Sequence, residues 1–178
     1  MHSAIPVVLV LASGRGERFR ASGGQGSKLH APLAGRTVIE HTLAAVQASG
    51  LPFHVEDAGH PGMGDSIAAA VQAHPDAGGW LVLPADLPLV RPESLRAVAV
   101  ALERASVVVP VYRGTRGHPV AFAPEHGDAL QALAGADGAA AIVRGSLALK
   151  LELDDPGIVT DIDTVGDLAR AERLLAAR

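Results

Sequence analysis

The chain has 178 residues and a net charge of −4, with an isoelectric point near 6.0 and a mean hydropathy of +0.26. That length suits one sizeable core rather than two, and the acidic balance leaves no basic footprint for nucleic acid or an acidic membrane surface. There is no cysteine, which excludes disulfides, thiolate zinc sites and thiol catalysis.

Aromatic residues make up 3% of the chain, so the core must be built from Ala, Val and Leu, a composition that leans towards α/β. Residues 5–12 (IPVVLVLA) are an unbroken apolar run, the pattern of a strand covered on both faces. Before it stands only His2 and no Lys or Arg, and Arg15, Glu17, Arg18 and Arg20 follow it, so a buried strand is expected rather than a secretory core. No stretch reaches the ~20 apolar residues of a bilayer span, and a soluble, cytoplasmic protein is expected. A polar Gly-rich loop follows to about Gly35. Thr37 and Glu40 have capping-box spacing and open a helix to about Ala48, stopped by Gly50 and Pro52. Residues 53–56 form a short strand candidate, and residues 66–73 a helix capped by Asp65 or Ser66. Residues 80–85 (WLVLPA) read as a second buried strand with an irregular end at Pro84.

Pro92 suits the first turn of a helix running to about Arg104. Residues 106–110 (SVVVP) read as a strand, 112–118 as a polar turn and 119–123 as another strand. Residues 124–134 and 138–144 look helical, and the alternating residues 147–153 (LALKLEL) fit an edge or one-side-exposed strand. Thr164 and Asp167 supply a capping-box variant for a final helix to about Ala177. Strands alternating with helices predict βαβ units, hence a single α/β domain over residues 1–178: a Rossmann-like three-layer αβα sandwich on a mostly parallel sheet.

Four constellations can carry chemistry. Leu11-Ala12-Ser13-Gly14-Arg15-Gly16 leaves the first strand where ligands sit in such sheets, and Arg15, Arg18 and Lys28 add positive charge. The arrangement reads as a phosphate loop, against the alternative of an ordinary Gly-rich turn. It is neither a dinucleotide fingerprint, since Phe19 takes the place of the third Gly, nor a Walker loop, since Lys28 follows Ser27. Asp86 follows the second buried strand and either holds Mg²⁺ or caps the turn before Pro92. Asp161 and Asp163 share a face of an extended segment and either want a cation or serve the final helix. Arg113, Arg116 and His118 form either an anion clamp or a solvated hairpin tip. The other histidines (His2, His30, His41, His54, His60, His74 and His126) show no metal-ligand spacing and read as structural or surface residues.

These segments resemble the MobA-like nucleotidyltransferases. LASGRGERF (11–19), Lys28-Leu29, GMGDS (62–66), DLPLV (86–90), GHPVAF (117–122), GADGAA (135–140) and DIDTVGDL (161–168) follow that family's order. The likeness is greatest to molybdenum cofactor cytidylyltransferases, with their signatures LAAG-x-S-x-R-F-G-x-x-K, D-x-P-x-V, GHP and DIDTP-x-D-L. The chain departs from them at Ser13, Val165 and Ala140, where Ala, Pro and Arg are usual. The segment between Phe19 and Lys28 is longer than theirs, and residues 51–64 are shorter.

The resemblance implies a nucleotide site at Leu11, Ala12, Ser13, Gly14, Arg15, Lys28, Gly64 and Ser66. It implies catalytic roles for Arg15, Arg18, Lys28 and Asp86, with Mg²⁺ on Asp86 and on Asp161 or Asp163. Arg116, Gly117, His118 and Pro119 fall on the acceptor side. The implied reaction moves CMP from CTP to molybdopterin or its molybdenum-bearing form and releases pyrophosphate, with a recipient molybdoenzyme as a further partner. The alternatives are guanylyl or sugar-phosphate nucleotidyl transfer on the same fold, and a non-catalytic protein that binds or delivers the cofactor.

Overall fold

A computed structural model describes residues 4–178; His2 lies outside the described residues. In chain order the elements are β1 (Val7–Leu11), α1 (Glu17–Ala21), β2 (Pro32–Leu33), β3 (Arg36–Thr37), α2 (Val38–Ser49), β4 (Phe53–Glu56), α3 (Met63–Gln72) and β5 (Trp80–Pro84). They continue with α4 (Pro92–Ala101), β6 (Val107–Tyr112), β7 (Thr115–Arg116), β8 (Val120–Phe122), α5 (Gly127–Gln131), α6 (Ala140–Arg144), β9 (Leu149–Glu152) and α7 (Val165–Ala176). Single 3-10 turns occupy Lys28–His30, Pro124–His126 and Pro156–Val159.

The unbroken apolar run of β1 takes the centre of a parallel trio, with β4 on one side and β5 on the other. Its alternate side chains feed two cores. Val8 and Val10 join Val38 and Val46 of α2 and Leu95 and Val98 of α4, with Ala171 of α7 in the same cluster. Val7, Leu9 and Leu11 join Ile67 and Val71 of α3 and Leu130 of α5. Helices therefore cover both faces, which is why the strand carries no polar alternation. The result is a three-layer αβα sandwich on a mostly parallel sheet. β8 and the short β7 are the exceptions: β8 runs antiparallel to both β5 and β6 and separates them, β7 runs antiparallel to β6, and β9 continues the sheet in parallel beyond β6.

Several local expectations need correcting. The Gly-rich loop expected to reach Gly35 contains α1, a 3-10 turn and the small β2–β3 hairpin. Phe19 organises it, since its ring is 3% exposed and rests where a Cβ on Gly24 would stand. Gly16 begins α1 with φ +64°, a left-handed conformation that glycine takes without strain. The third helix starts at Met63, not Ser66, because Asp65 and Ser66 are otherwise engaged. The Ser66 hydroxyl donates back to the Gly62 carbonyl at 3.2 Å, and Asp65 accepts from the Gly135 N–H at 3.1 Å. The α4 helix stops at Ala101, short of Arg104. The following strand runs on to Tyr112, because its last two residues pair with β7. Residues 124–134 divide into a 3-10 turn and α5, and the helix expected over 138–144 starts at Ala140. At the last helix both halves of the capping box form: Thr164 Oγ1 accepts from the Asp167 N–H at 3.2 Å, and Asp167 accepts from the Thr164 N–H at 2.8 Å.

Candidate active site

β1 and β5 end level with each other, Leu11 opposite Pro84, so the loops leaving them start from the same sheet edge. The Ala85 N–H donates to the Leu11 carbonyl at 2.9 Å, and the Ala12 N–H donates to the Glu56 carbonyl at 2.8 Å. From α2, the buried Thr42 hydroxyl donates to the Ala85 carbonyl at 2.8 Å and fixes the start of the Asp86 turn. The chain before α7 is drawn to the same place, since the Ile162 N–H donates to the Asp86 carbonyl at 3.0 Å. Elements far apart in sequence thus deliver their polar side chains to one cleft at the carboxyl ends of the central strands.

The cleft is a cavity of about 550 Å³. Leu11, Ser13, Gly14, Arg15, Arg18 and Lys28 line it from the first loop, and Ser66 from α3. Asp86, Asp161 and Asp163 also line it, with Arg116, Gly117 and His118 on the hairpin side. Ala12, Gly64, Pro119 and Arg113, all named from the sequence, are not in its wall, and the Arg113 guanidinium lies over the Tyr112 ring at 5.2 Å instead. Ala12 is engaged with Glu56, while Gly64 packs so tightly against Ala134 that a Cβ there would collide with its backbone. Pro119 is buried just ahead of β8. Sequence reasoning missed His60, which lines the cleft and is tethered by Glu56. Glu56 is 8% exposed; its Oε1 lies 3.1 Å from His60 Nε2 and its Oε2 lies 3.3 Å from His54 Nε2. Burial works to raise the Glu56 pKa, but the hydrogen bonds from His54, Ala58 and His60 outweigh it and hold it below the ordinary value. Only the nearness of residues 56–60 to the end of β1 carries that signal, and it is a tertiary fact.

Asp86, Asp161 and Asp163 each present a carboxylate oxygen within 4.8 Å of the others. Burial pushes the Asp161 carboxyl pKa up, and the charges of Asp86 and Asp163 push it further. Lys28 lies 2.7 Å from Asp86 and 3.0 Å from Asp163, while Arg18 reaches the other oxygen of Asp163 at 2.9 Å. Burial draws the Lys28 pKa down, but the facing carboxylates outweigh it and hold the ammonium above its ordinary value. Asp86 Oδ1 is buried with no hydrogen-bond partner, an oxygen left over once Lys28 has taken the other. A cluster of hard carboxylate oxygens with one orphaned lone-pair donor fits a divalent cation of the Mg²⁺ or Mn²⁺ kind. Burial also keeps His118 below its ordinary pKa despite the nearby Asp86 charge, so its imidazole is neutral at pH 7.

A second cavity of about 400 Å³ opens from the first and shares Met63, Pro84, Arg116, Gly117 and His118 with it. Its walls are mostly apolar, including Ile67, Val109, Val120 and Phe122, with the exposed Asp137 and Arg144 among its few polar groups. A cleft lined by cationic side chains and clustered carboxylates is thus joined to an apolar groove. Among the described residues no helix is long and apolar enough to cross a membrane.

Comparison with known proteins agrees with this architecture. The bifunctional protein GlmU of Xanthomonas campestris pv. campestris (strain 8004) is 32% identical over 125 residues, covering 57% of this chain and 27% of that protein. The chain thus spans about a quarter of the length of the curated relatives it matches. Rv0371c of Mycobacterium tuberculosis H37Rv superposes with a TM-score of 0.82 at 23% identity, covering 97% of this chain and 100% of that one. Its complex with manganese gives 0.76 at 22% identity over 96% and 99% of the two chains. Molybdopterin-guanine dinucleotide biosynthesis protein A from Archaeoglobus fulgidus gives 0.65 at 20% identity over 97% and 100%. These structural likenesses establish the fold. The family model for the MobA-like NTP transferase domain matches residues 43–153, more than half of the sequence, and the chain belongs to that nucleotidyltransferase family.

Proposed function

We propose that this protein transfers CMP from CTP to the terminal phosphate of a molybdopterin-type acceptor and releases pyrophosphate. The observation that carries the reading is the meeting, in one cleft, of the Gly14–Arg18 loop and Lys28 with the carboxylates of Asp86, Asp161 and Asp163. The acceptor phosphate oxygen attacks the α-phosphorus, the bond from that phosphorus to the oxygen bridging to the β-phosphorus breaks, and that oxygen leaves with pyrophosphate. The attacking group is already an anion, so no general base is required.

What the protein must supply is position and positive charge. Ser13, Gly14 and Arg15 hold the triphosphate, and Arg18 and Lys28 offset the charge that gathers on the leaving pyrophosphate. Asp86 with Asp161 or Asp163 would hold a divalent cation, Mg²⁺ in our reading, whose chemistry is to neutralise phosphate oxygens in the transition state. Arg116 and His118, on the wall shared by the two cavities, orient the acceptor phosphate, and the apolar groove takes the acceptor's body. The CTP preference rests on the cytidylyltransferase-like motifs of the sequence. A guanylyl donor is the second reading, favoured by the Archaeoglobus neighbour named for molybdopterin-guanine dinucleotide biosynthesis. Pyrophosphate release measured with each of the four NTPs, with and without molybdopterin, tests both: CTP turnover supports the first reading and GTP turnover the second. Release with none of the four would defeat nucleotidyl transfer to this acceptor and leave a protein that binds the cofactor.

A further inference from the structure

Lys28 grips the acidic cluster rather than facing the open phosphate loop. Its Nζ lies 2.7 Å from Asp86 Oδ2 and 3.0 Å from Asp163 Oδ1, and its side chain is 13% exposed. The segment before it explains how it arrives there. Phe19 closes the long 20–27 stretch over Gly24, and the 3-10 turn at Lys28–His30 then carries the side chain to the carboxylates. Asp86 and Asp163 belong to the triad whose oxygens gather within 4.8 Å. Divalent cations sit about 2.0–2.6 Å from such oxygens. Any cation bridging Asp86 and Asp163 therefore falls within a few ångströms of an ammonium already hydrogen-bonded to both. Two positive centres at that separation repel, so each weakens the other's hold on the pair.

We propose that Lys28 is an exchangeable counter-ion, so that its ammonium and a divalent cation are alternative occupants of the Asp86–Asp163 pair. The inference rests on reading the cleft as a metal-dependent nucleotidyltransferase site, and it adds how that site is kept before substrate arrives. Lys28 neutralises the cluster by itself and weakens its hold on free metal. When a triphosphate enters, the phosphates offer the ammonium a new anionic partner and free the carboxylates for the cation. Lys28 thereby makes metal binding depend on nucleotide. Arg18 does not act in this way: its side chain is 78% exposed and it bonds the oxygen of Asp163 that faces away from Lys28's hydrogen bond.

The test is the binding of Mn²⁺ alone to the full chain, followed by the loss of the free-ion electron paramagnetic resonance signal. Lys28→Met and Lys28→Gln are each expected to bind Mn²⁺ at least about tenfold more tightly than wild type, because a hydrogen-bonded competitor has been removed. Arg18→Met should change the affinity by about threefold or less, since an exposed ion pair is screened. Adding Asp86→Asn to Lys28→Met should abolish the tight binding. The proposal is overturned if neither Lys28 variant binds more tightly, or if Arg18→Met tightens binding as much as Lys28→Met. It is likewise overturned if the tight binding survives loss of the Asp86 carboxylate. Tighter Mn²⁺ binding in a protein that releases pyrophosphate from no NTP would uphold the exchange and sink the nucleotidyltransferase reading. Unchanged binding in an active enzyme would do the reverse.

Discussion

Asp155 and Asp86 both stand largely out of solvent, but their oxygens are treated differently. At Asp155, which is 2% exposed, Oδ2 accepts from the Ser94 hydroxyl at 2.7 Å and the Arg91 N–H at 3.0 Å. Its Oδ1 accepts from the Gly157 N–H at 2.8 Å and faces Arg91 Nε at 3.7 Å. That carboxylate is closed: it ties the start of α4 to the turn at Pro156–Val159, and its hydrogen-bonding capacity is used. Asp86 gives one oxygen to Lys28, keeps the other buried without a partner, and has Asp161 and Asp163 beside it. A carboxylate whose hydrogen bonds close is holding the chain together. One left with spare oxygens and like-charged neighbours is kept for something the chain does not itself contribute.

The contrast predicts that the two aspartates fail in opposite ways. Asp86→Asn should lower pyrophosphate release by about a thousandfold or more, the scale of losing transition-state charge stabilisation, while the thermal midpoint stays close to that of wild type. A large drop in midpoint, or near-normal turnover, would put Asp86 in the same class as Asp155. Asp155→Ala should do the converse. It leaves the donors of Arg91, Ser94 and Gly157 unpaired and should cost about 2–4 kcal/mol, seen as a fall in the midpoint of about 5–15 °C. Turnover per folded molecule should remain within about twofold of wild type, because Asp155 itself does not line the cleft.

His118 is an intermediate case, a group on the cleft wall whose Nδ1 is buried without a partner. Burial sets its folded pKa below the unfolded value of about 6.5, so folding favours the neutral ring. Its contribution is therefore complete above that value and is lost as the pH falls below it towards the folded pKa. Wild type should lose more thermal stability between about pH 7.5 and about pH 5.5 than His118→Gln does, and equal losses would remove the claim. This is the smallest of the three effects.

Much of the frame was legible in the sequence because it is local. The apolar runs of β1 and β5, the capping residues Thr37 and Thr164 and the Gly-rich exit from β1 all announce themselves within a few residues. The motifs also pointed to Asp86, Asp161 and Asp163 as partners, although 75 residues separate Asp86 from Asp161 in the chain. What escaped depends on tertiary packing. The five residues of α1 are too few to show a helical period and are held by the burial of Phe19. The direction of β8 is set by the β6–β7 hairpin and by its slot between β5 and β6, neither of which is encoded in residues 119–123 themselves. The grip of Lys28 on two carboxylates, and that of Glu56 on His60, appear only once distant loops share a sheet edge.

The most direct test of the central claim is pyrophosphate release by the full chain supplied with CTP, Mg²⁺ and molybdopterin, compared with the same mixture lacking any one of them. The account predicts release with the complete mixture and near-background signal when the nucleotide, the cation or the acceptor is left out. Release that is indifferent to the acceptor, or no release with any NTP, would contradict it.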